Sequence, residues 1–404
     1  MIIFLKKIKG TSLVIKNGAW ILFGKTVSAI ASVAIMLVFA NLISKETYGA
    51  YNYILSFFAM ASIFSLPGLN TIISRSFAKK EEGVLKIIEK EKFKWSLLGS
   101  LFLFILGAWY LIKLNYTLGI SFIIGGIFLP VEQIVRLSPY IWEGRMNFKK
   151  QGIYESIGFF VPAIILILTI INTDNLTIII ISYFLSYAVI RGILYFKTRS
   201  TIQKGQVPVD LQKDLSFGKH LTYMQVIQNL AGQLDKVILW HFSGPVAVAI
   251  FSFAQMPVGQ LRDFFPINTL ALPRLSKMTK EEAKKKSLKK FFLLFLVFIP
   301  TTAGIILLAP FIYKIVFPSY IDSVKYFQLL SLGILLTPFN LLITNFISHT
   351  NTGALYKIKT VSPIIKISLY VVLVPFYGIY GIVCATLMGH FVESCMVYYF
   401  FKKI

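Results

Sequence analysis

Gln225, Gln228, Gly232 and Asp235 stand three, four and three residues apart in a run otherwise built from residues such as Val226, Ile227, Leu230, Val237, Ile238 and Trp240. On an α-helix that spacing is one face. The next apolar run repeats the device with Ser252, Gln255, Gly259 and Arg262. Rows of amide, hydroxyl and charged groups can bind and pass a polar solute, and hydrocarbon hosts them poorly, so they are expected to face one another or a wet cavity. Asp235, with Gln228 and Asn229, is assigned to a gate or to sugar contact. The cations Lys25, which has Ser28 and Ser32 on its face, and Arg262 are assigned to an anion near the inner mouth. By rise along the helix, Asp235 and Arg262 stand on the order of 15 Å apart in depth, too far for a direct pair. Asp235 and Lys236, adjacent in sequence, are expected to point in different directions and to need separate partners.

Other charges within apolar runs divide into two groups. Glu132 and Arg136 are four residues apart and read as a neutralised pair locking a helix contact. Arg136, Arg191 and Lys366 fall near the inner ends of their runs, where long stems reach the headgroups. His390 and Glu393, three residues apart, fit either a hydrogen-bonded helix contact or a proton relay. Covalent chemistry finds no support. There is no Walker loop, no G-x-S-x-G and no metal-ligand spacing, and His220, His241, His349 and His390 are scattered. No cofactor and no metal is expected.

These residues must be positioned by membrane helices. Of 404 residues 56% are hydrophobic and 14% charged, with a mean hydropathy of +0.73. A soluble chain carries nearer a quarter charged residues. The apolar residues come in long runs without alternation, which excludes a β-barrel. The net charge of +24 is read as basic loops on the cytoplasmic side, not as nucleic-acid binding. Cys384 and Cys395 are expected to be small buried residues.

About twelve spans fit, near 18–42, 49–74, 95–112, 116–138, 153–171, 176–196, 219–242, 245–271, 291–317, 323–348, 361–377 and 378–401. With both termini inside, the outer turns hold only Lys45, Lys113, Lys314 and Lys325 of the 41 basic residues. Outer connections at 44–48, 172–175 and 243–244 leave no room for a folded catalytic domain. Two basic inner segments, 79–94 and 277–290, read as amphipathic helices on anionic lipid or as solvated linkers. Residues 41–51 and 241–251 resemble each other, each followed by a Pro, at 67 and 257. This suggests two parallel six-helix bundles, 1–200 and 201–404.

The stretch WILFGKTVSAIASVAIMLVFANLISKETYGAYNYILSF, from Trp20, resembles the opening of Wzx-type polysaccharide flippases. QNLAGQLDKVILWHFSGPVAVAIFSFA, from Gln228, resembles the start of their second half, with Asp235 as the acidic residue before a short outer loop. Val248 departs from the family's usual Gly. The superfamily, of multidrug, oligosaccharidyl-lipid and polysaccharide exporters, also holds lipid II flippases and multidrug-and-toxin extruders. The resemblance implies an all-α polytopic fold and a flippase for undecaprenyl-pyrophosphate-linked oligosaccharide in the bacterial inner membrane. It also implies as partners the membrane lipids and a polymerase and chain-length regulator of the same pathway. A cation-coupled multidrug antiporter of the superfamily is the nearest rival, though it needs an acidic cavity. A membrane polymerase or acyltransferase is the rival from another class.

Overall fold

The computed structural model describes residues 2–202, 210–263, 271, 275, 278–348 and 352–403, with side chains from Gly18 onward except at 263, 347, 348 and 352. Lys204, Pro266, Arg274, Lys277 and His349 lie outside the described residues, as do the side chains of Lys6, Lys7, Lys9 and Lys16. Every described element is helical. In chain order these are α1 (Ile2–Leu42), α2 (Lys45–Ala61), a 3-10 turn (Ser62–Ser65), α3 (Leu69–Ala78), α4 (Val84–Ile112), α5 (Tyr116–Val135), α6 (Ser138–Gly144), α7 (Phe148–Asn172), α8 (Leu176–Arg199), α9 (Leu211–Ala231), α10 (Leu234–Asp263) and α11 (Lys280–Val316). Then come a 3-10 turn (Pro318–Ser323), α12 (Val324–Ser331), a second 3-10 turn (Leu332–Leu336), α13 (Phe339–Ser348) and α14 (Thr352–Lys402).

Among the described residues eight helices are long and apolar enough to cross a membrane, or ten if each of two bent pairs is one span. Large apolar side chains such as Ile112, Leu307, Phe311 and Ile315 are exposed, so the solvent these faces match is hydrocarbon. The bent pairs, 53° and 44°, break beside Pro67 and Pro338, where the ring denies the helix a donor. The two longest spans are also interrupted. Gly244 in α10 (φ 78°, ψ −178°) and Gly378 in α14 (φ 52°, ψ −123°) take backbone conformations that side chains with a Cβ rarely adopt. Asn115, Asn147 and Asn175 cap α5, α7 and α8 by accepting backbone N–H bonds.

The chain divides into two compact units. The first comprises Met1–Ile43 and Phe57–Tyr223; the second comprises Ser44–Ser56 and Met224–Ile404. The chain-order border expected at residue 200 is therefore crossed twice. Residues 211–223 stay with the first unit because Lys219 pairs with Glu91 at 3.3 Å and Gly218 lies against Gly68. Residues 44–56 join the second because Lys45 pairs with Asp322 at 3.0 Å and Tyr48 packs on Phe253 and Tyr320.

Close backbone approach builds the first unit. A Cβ on Gly99 would lie 2.5 Å from the Ala61 carbonyl oxygen, and one on Gly152 would lie 2.3 Å from that of Trp20. Small residues that let helices touch are the usual membrane solution. The basic segment 79–94 is not a separate helix on lipid: from Val84 it is the first turns of α4. Of its apolar side, Val84, Leu85 and Ile88 are buried against Ile72, Phe77, Ile141 and Tyr195 and Ile87 is half-buried, so packing within the protein takes up most of that face. Likewise the described part of 277–290 is the straight start of α11, capped by Thr279, with Ala283 and Ser287 buried.

In the second unit Gly49 meets Pro245 so closely that an added Cβ would lie 2.0 Å from the Pro245 carbonyl oxygen. Gly49→Ala is expected to lower stability by about 1–3 kcal/mol or more, read as a fall in unfolding temperature in detergent. An unchanged temperature would contradict this contact. Cys384 and Cys395 are exposed, contrary to the expectation of burial. A thiol is apolar enough to face hydrocarbon.

Candidate functional site

The first unit gathers charge around one carboxylate. Glu132 on α5, 2% exposed, accepts hydrogen bonds from Arg136 Nε on its own helix and from Arg191 Nη1 of α8 at 2.7 Å. Its second oxygen accepts from Gln133 Nε2 at 3.2 Å, and Ser65 donates to Gln133 Oε1 at 2.8 Å. Arg191 also donates Nε to the Gly158 carbonyl at 3.1 Å and stacks over Tyr187. Lys92 on α4 is fully buried, donates to Asn70 Oδ1 at 3.1 Å and lies within electrostatic reach of Glu132 and Arg136.

Beside this cluster lies a cavity of about 450 Å³ within the first unit, walled by Asn70, Gln133, Arg136, Arg191, Tyr154 and Glu155 among others. Its size suits a small-molecule site. The broken span supplies part of the wall through Ser62, Pro67 and Asn70. Glu155, on α7, accepts from Gln151 Nε2 at 3.2 Å and is electrostatically coupled to Lys25.

The second unit holds another charged cluster. Asp235 is wholly buried in the first turn of α10. It accepts from the Lys236 N–H at 2.7 Å and from Gln255 Nε2 at 2.9 Å, and Lys236 Nζ stands 3.7 Å away. Lys366 and Tyr370 of α14 lie within its electrostatic reach. Beyond the Gly244 break, on the face of α10 that carries Gln255, Arg262 Nη1 lies 3.1 Å from His390 Nε2, and His390 Nδ1 lies 3.8 Å from Glu393 Oε2. A guanidinium only donates, so Nε2 accepts and the ring proton sits on Nδ1, toward the Glu393 carboxylate.

Several sequence expectations are redrawn. The stripe of Gln225, Gln228, Gly232 and Asp235 is split, because α9 ends at Ala231 and α10 begins at Leu234. Gln228 and Asn229 are exposed and Gln225 is half-buried, whereas Asp235 is buried with Gln255. Asp235 and Lys236 do approach each other, since at a helix start the side chain folds back over its own first turn. Arg191 and Lys366 do not reach for headgroups: Arg191 is held by Glu132 and Gly158, and the Lys366 stem packs on Gly389. Lys25 is exposed in the first unit and Arg262 belongs to the second. Sequence reading overlooked Lys92 and Glu155. Lys92 had a signal, because it falls on the face Leu85, Ile88, Lys92, Ser96, Gly99, Leu103, every member of which is buried.

The model of the family described as polysaccharide biosynthesis protein matches residues 14–279, more than half of the chain. The chain belongs to that family. The model of lipid II flippase MurJ matches residues 221–404. An uncharacterised membrane protein of Methanocaldococcus jannaschii is 24% identical over 96% of this chain and 84% of its own length. Among solved structures, the lipid II flippase MurJ in an inward closed conformation superposes with a TM-score of 0.71 at 14% identity, covering 96% of this chain and 87% of its own. An inward-facing multidrug resistance MATE family transporter of the MOP superfamily gives 0.69 at 13% identity, covering 93% and 94%. This member of the polysaccharide biosynthesis family is thus a multi-pass membrane protein with the fold shared by MurJ and MATE transporters.

Proposed function

We propose that the chain translocates undecaprenyl-pyrophosphate-linked oligosaccharide repeat units, precursors of O-antigen or another surface polysaccharide, to the outer leaflet of a bacterial inner membrane. The observation that carries this reading is the polysaccharide biosynthesis family match over residues 14–279. The two six-helix bundles expected at 1–200 and 201–404 correspond to the compact units Met1–Ile43 with Phe57–Tyr223 and Ser44–Ser56 with Met224–Ile404. Twelve crossings are counted when each bent pair is one span and the spans 211–262 and 353–402 are divided at Gly244 and Gly378, and the basic loops favour cytoplasmic termini. Lys25 and Arg262 are assigned to the anionic head of the lipid. Gln225, Gln228, Asn229, Asp235 and Gln255 are assigned to the sugar, while Asp235, His390 and Glu393 couple movement to an ion gradient. Glu132, Arg136, Arg191 and Lys366 are the supporting charges. A polymerase and a chain-length regulator of the same pathway are its proposed partners.

Lys25→Ala and Arg262→Ala are each expected to abolish export of the oligosaccharide while the protein level stays normal. Export scored by the surface polysaccharide, with the protein quantified in the membrane fraction, reads both. Full export in both variants removes the anion assignment. In proteoliposomes the wild type is expected to move a fluorescent lipid-linked oligosaccharide and not an ethidium-type cation. Transport of the cation alone would make the chain a multidrug antiporter.

A further inference from the structure

We propose that Lys92 is a proton-exchange site of the first unit, a buried amine that passes between its charged and neutral forms, apart from the Asp235, His390 and Glu393 assignments of the second unit. Donor accounting carries the proposal. Lys92 is 0% exposed. An ammonium has three donors, and the protein offers this one a single acceptor, Asn70 Oδ1 at 3.1 Å. Among the described residues no carboxylate pairs with Lys92 directly. Glu132 lies within its electrostatic reach, but both oxygens of Glu132 are taken by Arg136, Arg191 and Gln133. One carboxylate thus faces three cations. A buried charge without its own partner is costly, and a group able to neutralise does so. Guanidinium groups keep their protons in proteins, so Lys92 is the cation of this cluster that can discharge.

The groups facing Lys92 from the helices around it leave that conclusion intact. From α5 come Glu132, which attracts the ammonium, and Arg136, which repels it. From α3 come the neutral Asn70 and Arg75, the latter held by Asp214 at 3.8 Å. On its own helix Glu89 is engaged by Tyr195 and Arg199 of α8, and Glu91 pairs with Lys219 of α9 at 3.3 Å. The 3-10 turn Ser62–Ser65 has no ionisable side chain. Glu155 forms a separate set with Glu143 and Lys25. Exchange needs no rearrangement, because a neutral amine still donates to Asn70 Oδ1. The proton passes to water of the cavity, whose wall Asn70 lines, and the electron pair stays on Nζ. The field is what changes. With the proton on, Lys92 repels Arg136 and competes for Glu132; with it off, Glu132 belongs to the two guanidinium groups. Lys92 is thereby the group through which pH acts on this cluster.

The proton site does not depend on the flippase reading; its bearing on transport does. The test uses the full chain in detergent, with nitrogen-15 in the lysine side chains, followed by NMR through a pH titration. Exposed lysines stay charged up to about pH 9. A lysine nitrogen that titrates below that is expected, and it is expected to be lost in Lys92→Met. Lys92→Arg, charged throughout, also removes it and serves where Lys92→Met does not fold. A second measurement compares melting temperatures. The unfolded chain keeps the lysine proton to about pH 10. Where native Lys92 has released it, the unfolded state binds one proton more, so stability rises with pH. The wild type is therefore expected to gain on either variant as the pH rises from about 6 to about 9. A merely structural lysine leaves that difference flat. No titrating lysine signal that the substitutions remove, or a flat melting difference, overturns the proposal. Titration at Lys92 without transport of lipid-linked oligosaccharide keeps the proton site and loses the flippase; transport without that titration loses the site alone.

Discussion

Glu132→Leu is expected to cost the protein about 3–5 kcal/mol of stability, the usual result of removing one partner from a buried ion pair. Glu132 is the carboxylate that Arg136 and Arg191 share, and Lys92 lies in its field. Deleting it leaves three cations facing one another with only neutral partners, Asn70 and the Gly158 carbonyl among them. The Glu132 side chain is 2% exposed and Arg191 17%, so solvent compensates poorly on the Arg191 side. Differential thermal unfolding in detergent reads the loss. The double variant Glu132→Leu with Arg191→Leu is expected to recover part of it, because the second change removes a charge that the first left unpaired. Equal or additive losses in both variants would show that the contact is packing rather than charge.

Asp235→Asn is expected to reduce transport about 10–100-fold, the equivalent of one charge-assisted hydrogen bond of about 1.5–3 kcal/mol. The amide keeps the size of the side chain and can still meet Gln255, but it takes away the negative charge facing Lys236 and lying in reach of Lys366. Asp235 also sits in the first turn of α10, where helix N–H groups favour an anion. Protein yield and melting temperature are expected to change little in comparison, and Asp235→Glu is expected to recover part of the activity. Transport of lipid-linked oligosaccharide in proteoliposomes at the wild-type rate by the Asn variant would remove Asp235 from the transport cycle.

The two clusters also mark the limit of reading by helical period. Of the stripe Ser252, Gln255, Gly259 and Arg262, Ser252 is buried, Gln255 reaches Asp235 and Arg262 reaches His390, whereas Gly259 is exposed. The same rule failed for Gln228 and Asp235, because a period holds only while the helix is continuous, and Gly232 and Gln233 interrupt it. Lys92 was hidden for another reason. It stands in a basic segment that reads as an amphipathic helix on lipid or a solvated linker, and only the tertiary fold brings Asn70 of α3 and the Glu132–Arg136 pair of α5 to it.

Hydropathy, turn residues and the breaks at Pro67, Gly244 and Gly378 were determined by the sequence alone, because solvation by lipid and the allowed backbone angles act residue by residue. Which charges meet was decided only by the tertiary structure. Glu132 and Arg191 are separated by 59 positions and Arg262 and His390 by 128. Pairing in a low-dielectric interior depends on distance in space, which helix packing sets and local sequence does not encode.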